Sequence, residues 1–326
     1  MNIMSPLTMI TNLVTSNPIG STVLFALIIW ITAVRFYNVR SLEYGDIRIT
    51  GAVESLARVS SSPMNTDLAK AYHYAVLSAE VYGQTDENGR PHRSWDTQKC
   101  AHDNVYQQWS TLSLPNNFPS RPVGETGNQA KLDSALKYAV WYRETNQTDV
   151  EVVLAFAGTN GVGDIWSNLH WVSRFWPGGW NQYDLAATVG PALEKYVTTE
   201  RFKDKANIKI ITTGHSLGGG LAHIAAYASE NIKRIYAFDS SSVTGFYDVD
   251  KPIRDASKTG MRIYRIHERG EVLGYLRAFM RVFYPTVEKN PAIIDATINF
   301  DGGLPIGQHS IENLACALVE NSTDSN

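Results

Sequence analysis

Apolar residues recur at helical spacing at Leu68, Ala71, Ala75, Ala79 and Tyr82, which predicts a helix capped by Asp67 and stopped by Gly83. Residues 136–143 and 151–156 carry the β-branched and aromatic character of strands, with a polar turn at 145–148 between them. A helix follows at 184–199, with Leu185, Val189, Leu193, Tyr196 and Val197 on one side and Gly190-Pro191 as its point of bending. Residues 208–212 form a short apolar strand. Residues 217–229 form a helix with Leu221, Ile224, Ala225 and Ala228 on one face. Strands at 234–238 and 262–267 and a last helix at 310–319 complete the pattern. Strands alternating with helices predict an α/β domain, with a mainly parallel sheet covered by helices on both faces. Residues 41–65 read as a connector, 84–130 as a long loop or small insertion, and 321–326 as an unstructured tail.

The N-terminus breaks this pattern. No Asp, Glu, Lys or Arg precedes Arg35, and residues 18–34 are mostly apolar. As a helix they would span roughly 26 Å, the short end of what crosses a bilayer. Phe36, Tyr37 and Arg40 supply an interfacial edge behind them. A secretory signal needs basic residues before its apolar core and a small-residue cleavage site after it, and neither is present. The expectation is an N-terminal tail and transmembrane anchor over 1–40, then one catalytic domain over 41–326. Arg35, Arg40 and Arg48 follow the span, so the positive-inside tendency places the domain on the cytoplasmic side.

Composition narrows the function. Forty-four per cent hydrophobic and 19% charged residues belong to a folded chain and exclude a disordered one. A net charge of −3 argues against a nucleic-acid partner. A mean hydropathy of −0.20 excludes a protein built mainly of membrane helices. Cys100 and Cys316 are too few for a disulfide framework or a cysteine-based zinc site and do not fix the redox compartment; two inert thiols are expected, with one disulfide as the alternative.

Between the strand at 208–212 and the helix at 217–229 stands Gly214-His215-Ser216-Leu217-Gly218-Gly219-Gly220. A G-x-S-x-G run in a strand–turn–helix context marks a nucleophile elbow. The sharp turn lifts the Ser216 hydroxyl above the sheet edge and aims the Leu217 N–H at a developing negative charge. The run resembles the elbow of the class 3 lipases, a fungal-type, triacylglycerol lipase-like branch of the α/β-hydrolases. A second block supports the resemblance: Val152 to Asn160, ending Phe156-Ala157-Gly158-Thr159, then Asp164, Trp166 and Asn168. In that family an apolar strand ends Phe-Arg-Gly-Thr before a nearby Asp-Trp. This chain departs at Ala157, where the family has Arg, and at Ile165, which separates Asp164 from Trp166. The resemblance covers about residues 66–320. It implies an α/β-hydrolase fold and an oxyanion hole formed by Thr159 together with the Leu217 N–H.

A serine needs a base, and in this fold the acid and histidine follow the nucleophile in the chain. His223, His267 and His309 qualify. His223 lies about two turns along the elbow helix, beyond reach of the hydroxyl. His309 follows a loop holding Gly302, Gly303, Pro305 and Gly307 and opens the last helix, as a base should. Its Gly-Gln-His-Ser run also resembles the family's C-terminal histidine segment. Asp239, Glu268, Glu271 and Asp301 are the candidate acids. The family's Arg-Ile-…-Asp-x-Val pattern selects Glu271 in Arg265-Ile266-…-Glu271-Val272-Leu273.

These residues imply a serine hydrolase of acyl-lipid esters, lipase or phospholipase in type, working without metal or organic cofactor. Two other readings use the same chain: thioester or amide cleavage on the same triad, and an inactive α/β-hydrolase serving as a tethered binding module. The anchor at 18–34 would bring the domain to the bilayer. Trp166, Trp171, Phe175, Trp176 and Trp180 crowd the segment behind the oxyanion block, where the resembled lipases carry a lid. An aromatic lid would meet lipid directly, and a core role for the same rings is the competing expectation.

Overall fold

The β6 strand (Asp149–Phe156) shows how the sheet forms: its side chains alternate between two apolar layers. Val150, Val152, Leu154 and Phe156 enter one buried cluster, and Val153 and Ala155 enter the other. A strand apolar on both faces must be covered on both faces. The structure, a computed structural model, describes residues 47–51, 68–82, 84–85, 91–92, 102–115, 118–119, 136–158, 182–271, 273–274, 277, 290–299 and 309–323. All of them belong to the compact unit Tyr44–Asn326. The expected anchor at 18–34 and the aromatic segment at 166–180 lie outside the described residues. Among the described residues no helix is long and apolar enough to cross a membrane.

The strands are β1 (Ile47–Gly51), β2 (Gln84–Thr85), β3 (Pro91–His92), β4 (Ser110–Thr111), β5 (Tyr138–Glu144), β6, β7 (Asn207–His215), β8 (Ile232–Phe238), β9 (Arg262–Glu268) and β10 (Ala292–Ile298). The helices are α1 (Ala71–Glu80), α2 (His102–Tyr106), α3 (Gln182–Tyr196), α4 (Leu217–Tyr227), α5 (Lys251–Lys258) and α6 (Ile311–Thr323). Eight strands form one sheet in the order β1-β10-β9-β8-β7-β6-β5-β4, and β2 and β3 form a separate pair. The run from β6 to β10 is parallel, while β4, β5 and β1 pair antiparallel with their neighbours.

The parallel strands follow one another without reversal, so right-handed crossovers put their helices on one face. Here α3 and α4 pack on each other and on that face, with Ala186, Val189 and Leu193 against Leu221, Ala222 and Ala225. Gly190 makes this possible: a Cβ there would stand 2.3 Å from the Ala225 carbonyl oxygen. The opposite face is closed by α1 and α6, which come from the two ends of the domain and pack together. Of the two charged residues of β6, Asp149 begins the strand, and Glu151 points to this second face and is fully engaged. It accepts from the Tyr74 hydroxyl at 2.6 Å, Arg143 Nε at 2.9 Å and Lys209 Nζ at 3.2 Å.

Several expectations change. The connector at 41–65 contains β1, whose register runs from Ile47 opposite Ile298 to Gly51 opposite Ile294. The expected loop at 84–130 contains β2, β3, α2 and β4. The last helix continues to Thr323, into the expected tail. The helix at 182–196 ends in a wider π turn, Val197–Arg201. The inert thiols are also corrected: Cys316 on α6 is disulfide-bonded, and the chain's only other cysteine is Cys100, which lies outside the described residues.

Candidate active site

The elbow is built by close backbone approach. β7 ends at His215 and α4 begins at Leu217, so Ser216 alone makes the turn, with φ 56 and ψ −123. A side chain in this left-handed region is strained and must be held there by its surroundings. Three backbone hydrogen bonds hold it: Ser216 N to Phe238 O at 3.0 Å, Gly219 N to Ser216 O at 3.1 Å and Ser241 N to Ser216 O at 3.0 Å. Gly218 lies directly over the end of β6, where a Cβ would stand 2.2 Å from the Phe156 carbonyl oxygen. Backbone cannot yield as a flexible side chain can. Gly218→Ala is therefore expected to destabilise by about 3 kcal/mol, the upper end of overpacking, measured as a fall in urea midpoint.

Above the sheet edge, Ser216 Oγ is 3.1 Å from His309 Nε2, and His309 Nδ1 is 2.9 Å from Glu271 Oε2. His309 is 2% exposed and Glu271 is fully buried. The three expected residues, from the turn after β7, the segment after β9 and the residues just before α6, thus meet in one hydrogen-bonded chain. Of the other candidate acids, Glu268 ends β9 and Asp239 directly follows β8, both buried. Asp301 lies outside the described residues.

Glu271 is more heavily partnered than the sequence suggested. The Leu273 N–H donates to its Oε2 at 2.7 Å, and Arg277 Nη2 pairs with its Oε1. Arg277 Nη1 donates to the Ser240 carbonyl at 2.9 Å, tying the acid's segment to the loop after β8. Burial by itself would push the Glu271 carboxyl up. The Arg277 charge, the His309 ring and the Leu273 N–H outweigh it and hold the group well below the usual carboxylate range. Sequence reasoning missed Arg277, whose only signal is a single charge behind an apolar run. Arg277→Met leaves a buried carboxylate without its cation. It should cost about 3–5 kcal/mol in unfolding free energy, and Arg277→Lys should recover only part, because an ammonium lacks the two-pronged reach.

Leu217 begins α4 beside the strand-end loop of β6: a Cβ on Gly158 would stand 3.3 Å from Leu217 N and 2.7 Å from His215 O. Thr159, the other expected oxyanion donor, lies outside the described residues. Tyr82 joins the two loops. Its hydroxyl oxygen accepts the Gly158 N–H at 2.8 Å and lies 3.1 Å from His215 Nδ1. Sequence reasoning assigned neither Tyr82 nor His215 to the site.

Among the described residues one group could place three donor atoms on an ion: His215, Asp239 and His309, within 4.8 Å of one another. His309 is already engaged by Ser216 and Glu271 there.

The family model described as phospholipase-like, Tle-like phospholipase domain, matches residues 73–243, a stretch that holds β6 and the elbow. Glu271 and His309 lie beyond it. Among solved structures, lipase II from Rhizopus niveus is 15% identical, with 68% of this chain and 78% of that one covered and a TM-score of 0.33. The lipase from Rhizopus microsporus var. chinensis is 16% identical, with 73% and 79% covered and a TM-score of 0.40. No curated protein sequence matches the chain.

Proposed function

Because this chain belongs to the family of Tle-like phospholipase domains, a lipase-like α/β-hydrolase family, we propose that it hydrolyses carboxylic esters of acyl lipids with Ser216 as nucleophile. One observation carries the mechanism: the chain Ser216 Oγ, His309 Nε2, His309 Nδ1, Glu271 Oε2, at 3.1 and 2.9 Å, on a strained elbow. Ser216 Oγ attacks the ester carbonyl carbon while His309 Nε2 takes its proton. Glu271, held ionised by Arg277, fixes the tautomer that leaves Nε2 free to accept and stabilises the imidazolium. The carbonyl oxygen becomes an oxyanion facing the Leu217 N–H, with Thr159 as the second donor. The intermediate collapses, the C–O bond to the alcohol breaks, and His309 returns the proton to the leaving oxygen. Water then attacks the acyl-enzyme with His309 again as base, releasing the fatty acid and restoring Ser216.

Vesicles of defined phospholipid and emulsions of triacylglycerol, incubated with wild type and Ser216→Ala, test this reading by the free fatty acid released. Release from either lipid that disappears in Ser216→Ala supports it. Turnover confined to thioester or amide substrates, or none on any acyl substrate, rejects it in favour of the two other readings.

Residues 18–34 are proposed as the bilayer anchor on their composition alone. The disulfide at Cys316 supports an oxidising compartment for the domain, opposite to the side that Arg35, Arg40 and Arg48 favour. A bridge needs oxidising surroundings to persist, whereas three charges only bias insertion, so we place the domain outside the cytoplasm. Alkylation of the protein as isolated should find no thiol until reductant is added; two free thiols would return the domain to the cytoplasmic side.

A further inference from the structure

Asp239 is a costly residue where it stands. It directly follows β8, the strand between the elbow strand β7 and the strand β9 that leads to Glu271. Its φ is 40, in the left-handed region, although it is not glycine. It is fully buried. Its Oδ1 accepts the Glu268 N–H at 2.9 Å, and its Oδ2 has no hydrogen-bond partner among the described residues. A buried carboxyl oxygen without a partner is unfavourable, and a short polar side chain at positive φ adds strain. One of its oxygens lies within 4.8 Å of a ring nitrogen of His309 and of His215.

We propose that Asp239 is a reserve partner of His309: when Glu271 cannot carry the negative charge, the Asp239 carboxylate carries it and orients the imidazole. The inference rests on the Ser216–His309 reading of the site.

Charge counting supports it. The groups facing Asp239 are His215 from β7, Glu268 at the end of β9, Glu271 and Arg277 behind β9, and His309 before α6. Arg277 is the permanent cation acting on both Glu271 and Asp239. Two buried carboxyls beside one guanidinium favour one negative charge between them. Glu271 takes it, because Arg277, the Leu273 N–H and His309 Nδ1 all address its oxygens. Asp239 has one backbone N–H and is pushed well above its ordinary range by burial and by the Glu271 charge. Replacing Glu271 by a neutral side chain removes that repulsion and leaves Arg277 in place. Asp239 can then release its proton to solvent and accept from His309. Asp239 acts here through the histidine, as a positioning residue.

A double-mutant cycle tests this on a soluble short-chain ester, with wild type, Glu271→Gln, Asp239→Asn and the double variant. Loss of a sole triad acid costs about 10⁴-fold in kcat. Glu271→Gln is expected to lose clearly less, and the double variant to fall to that floor with KM unchanged. The loss on adding Asp239→Asn should be about tenfold or more larger in the Glu271→Gln background than in wild type, a coupling typical of residues in one network. Asp239→Glu, which keeps the charge, should retain more activity than Asp239→Asn in that background. If Asp239→Asn does not fold, Asp239→Gly, which suits the positive φ, replaces it in the cycle. Equal losses in both backgrounds, or Glu271→Gln already at the floor, would overturn the inference. His309→Ala separates the two levels: an active His309→Ala rejects the triad reading itself, while an inactive one with an additive cycle rejects only the reserve acid.

Discussion

Ser216→Ala is expected to reduce fatty-acid release by about 10⁴- to 10⁶-fold with the fold intact, and His309→Ala by a similar factor. The two losses should not add, because nucleophile and base act as one unit: without the hydroxyl there is no proton to remove, and without the base the hydroxyl is a weak nucleophile. Ser216→Ala leaves the core undisturbed, whereas His309→Ala removes a buried ring that Glu271 and His215 contact and should also lower the unfolding midpoint. Ser216 Oγ makes its hydrogen bond to His309 alone among the described residues, and the elbow is held by backbone contacts that alanine keeps. Unfolding midpoints therefore distinguish lost chemistry from lost structure. Near-native rates in either folded variant would remove the mechanism.

The second large effect is on stability in acid. His73 is held down to about 3 by burial and by the Arg143 charge. His223 and His267 are held down to about 4, each chiefly by burial. His215 is lowered as well, by burial and then by His309. All four are neutral inside the fold and regain an ordinary value of 6.5 when it opens. Their contribution is therefore present above 6.5 and lost as pH falls toward 4, because the unfolded chain takes up protons that the native one refuses. Asp239 works in the opposite sense: its raised carboxyl keeps a proton that unfolding releases, so it offsets about one histidine in this window. A net uptake of about three protons corresponds to about 4 kcal/mol per pH unit near pH 5. Against a total stability of about 5–15 kcal/mol, the domain should unfold between about pH 5 and 4. Urea unfolding at pH 7, 6 and 5 checks the slope, and a flat profile would mean that these histidines are not neutral in the fold.

What the sequence revealed depended on whether its signals were local. The elbow is local: strand, Gly-His-Ser-Leu-Gly and helix stand in one run, and Ser216 lies where that run puts it. Glu271 and His309 are distant in the chain: Glu271 came from a family resemblance, and His309 from chain order and its loop before the last helix, with the resemblance beside them. β10 was passed over because Asp295 interrupts its apolar run. Its reason is a neighbour: Asp295 stands opposite Arg265 on β9 and accepts from its Nε at 2.7 Å and its Nη2 at 2.8 Å. Such a cross-strand pair becomes visible only once the register is known. Arg277 was missed for the same reason, and Asp239 stood only as an alternative acid. A lone charge after an apolar run and an acid at a strand end are ordinary in sequence, and only burial against Glu271 and His309 makes them unusual. The helix α5 carries a single large apolar residue, Ile253, which is 42% exposed, so amphipathic spacing had little to detect.

Incubating the full chain with an alkyl fluorophosphonate, digesting it and locating the adduct by mass spectrometry tests the central claim most directly. The Ser216 hydroxyl, activated by His309, should carry the single adduct. Labelling should vanish in Ser216→Ala and slow by about 10²-fold or more in His309→Ala, the usual contribution of a general base. An adduct on another serine, or labelling of His309→Ala at the wild-type rate, would contradict it.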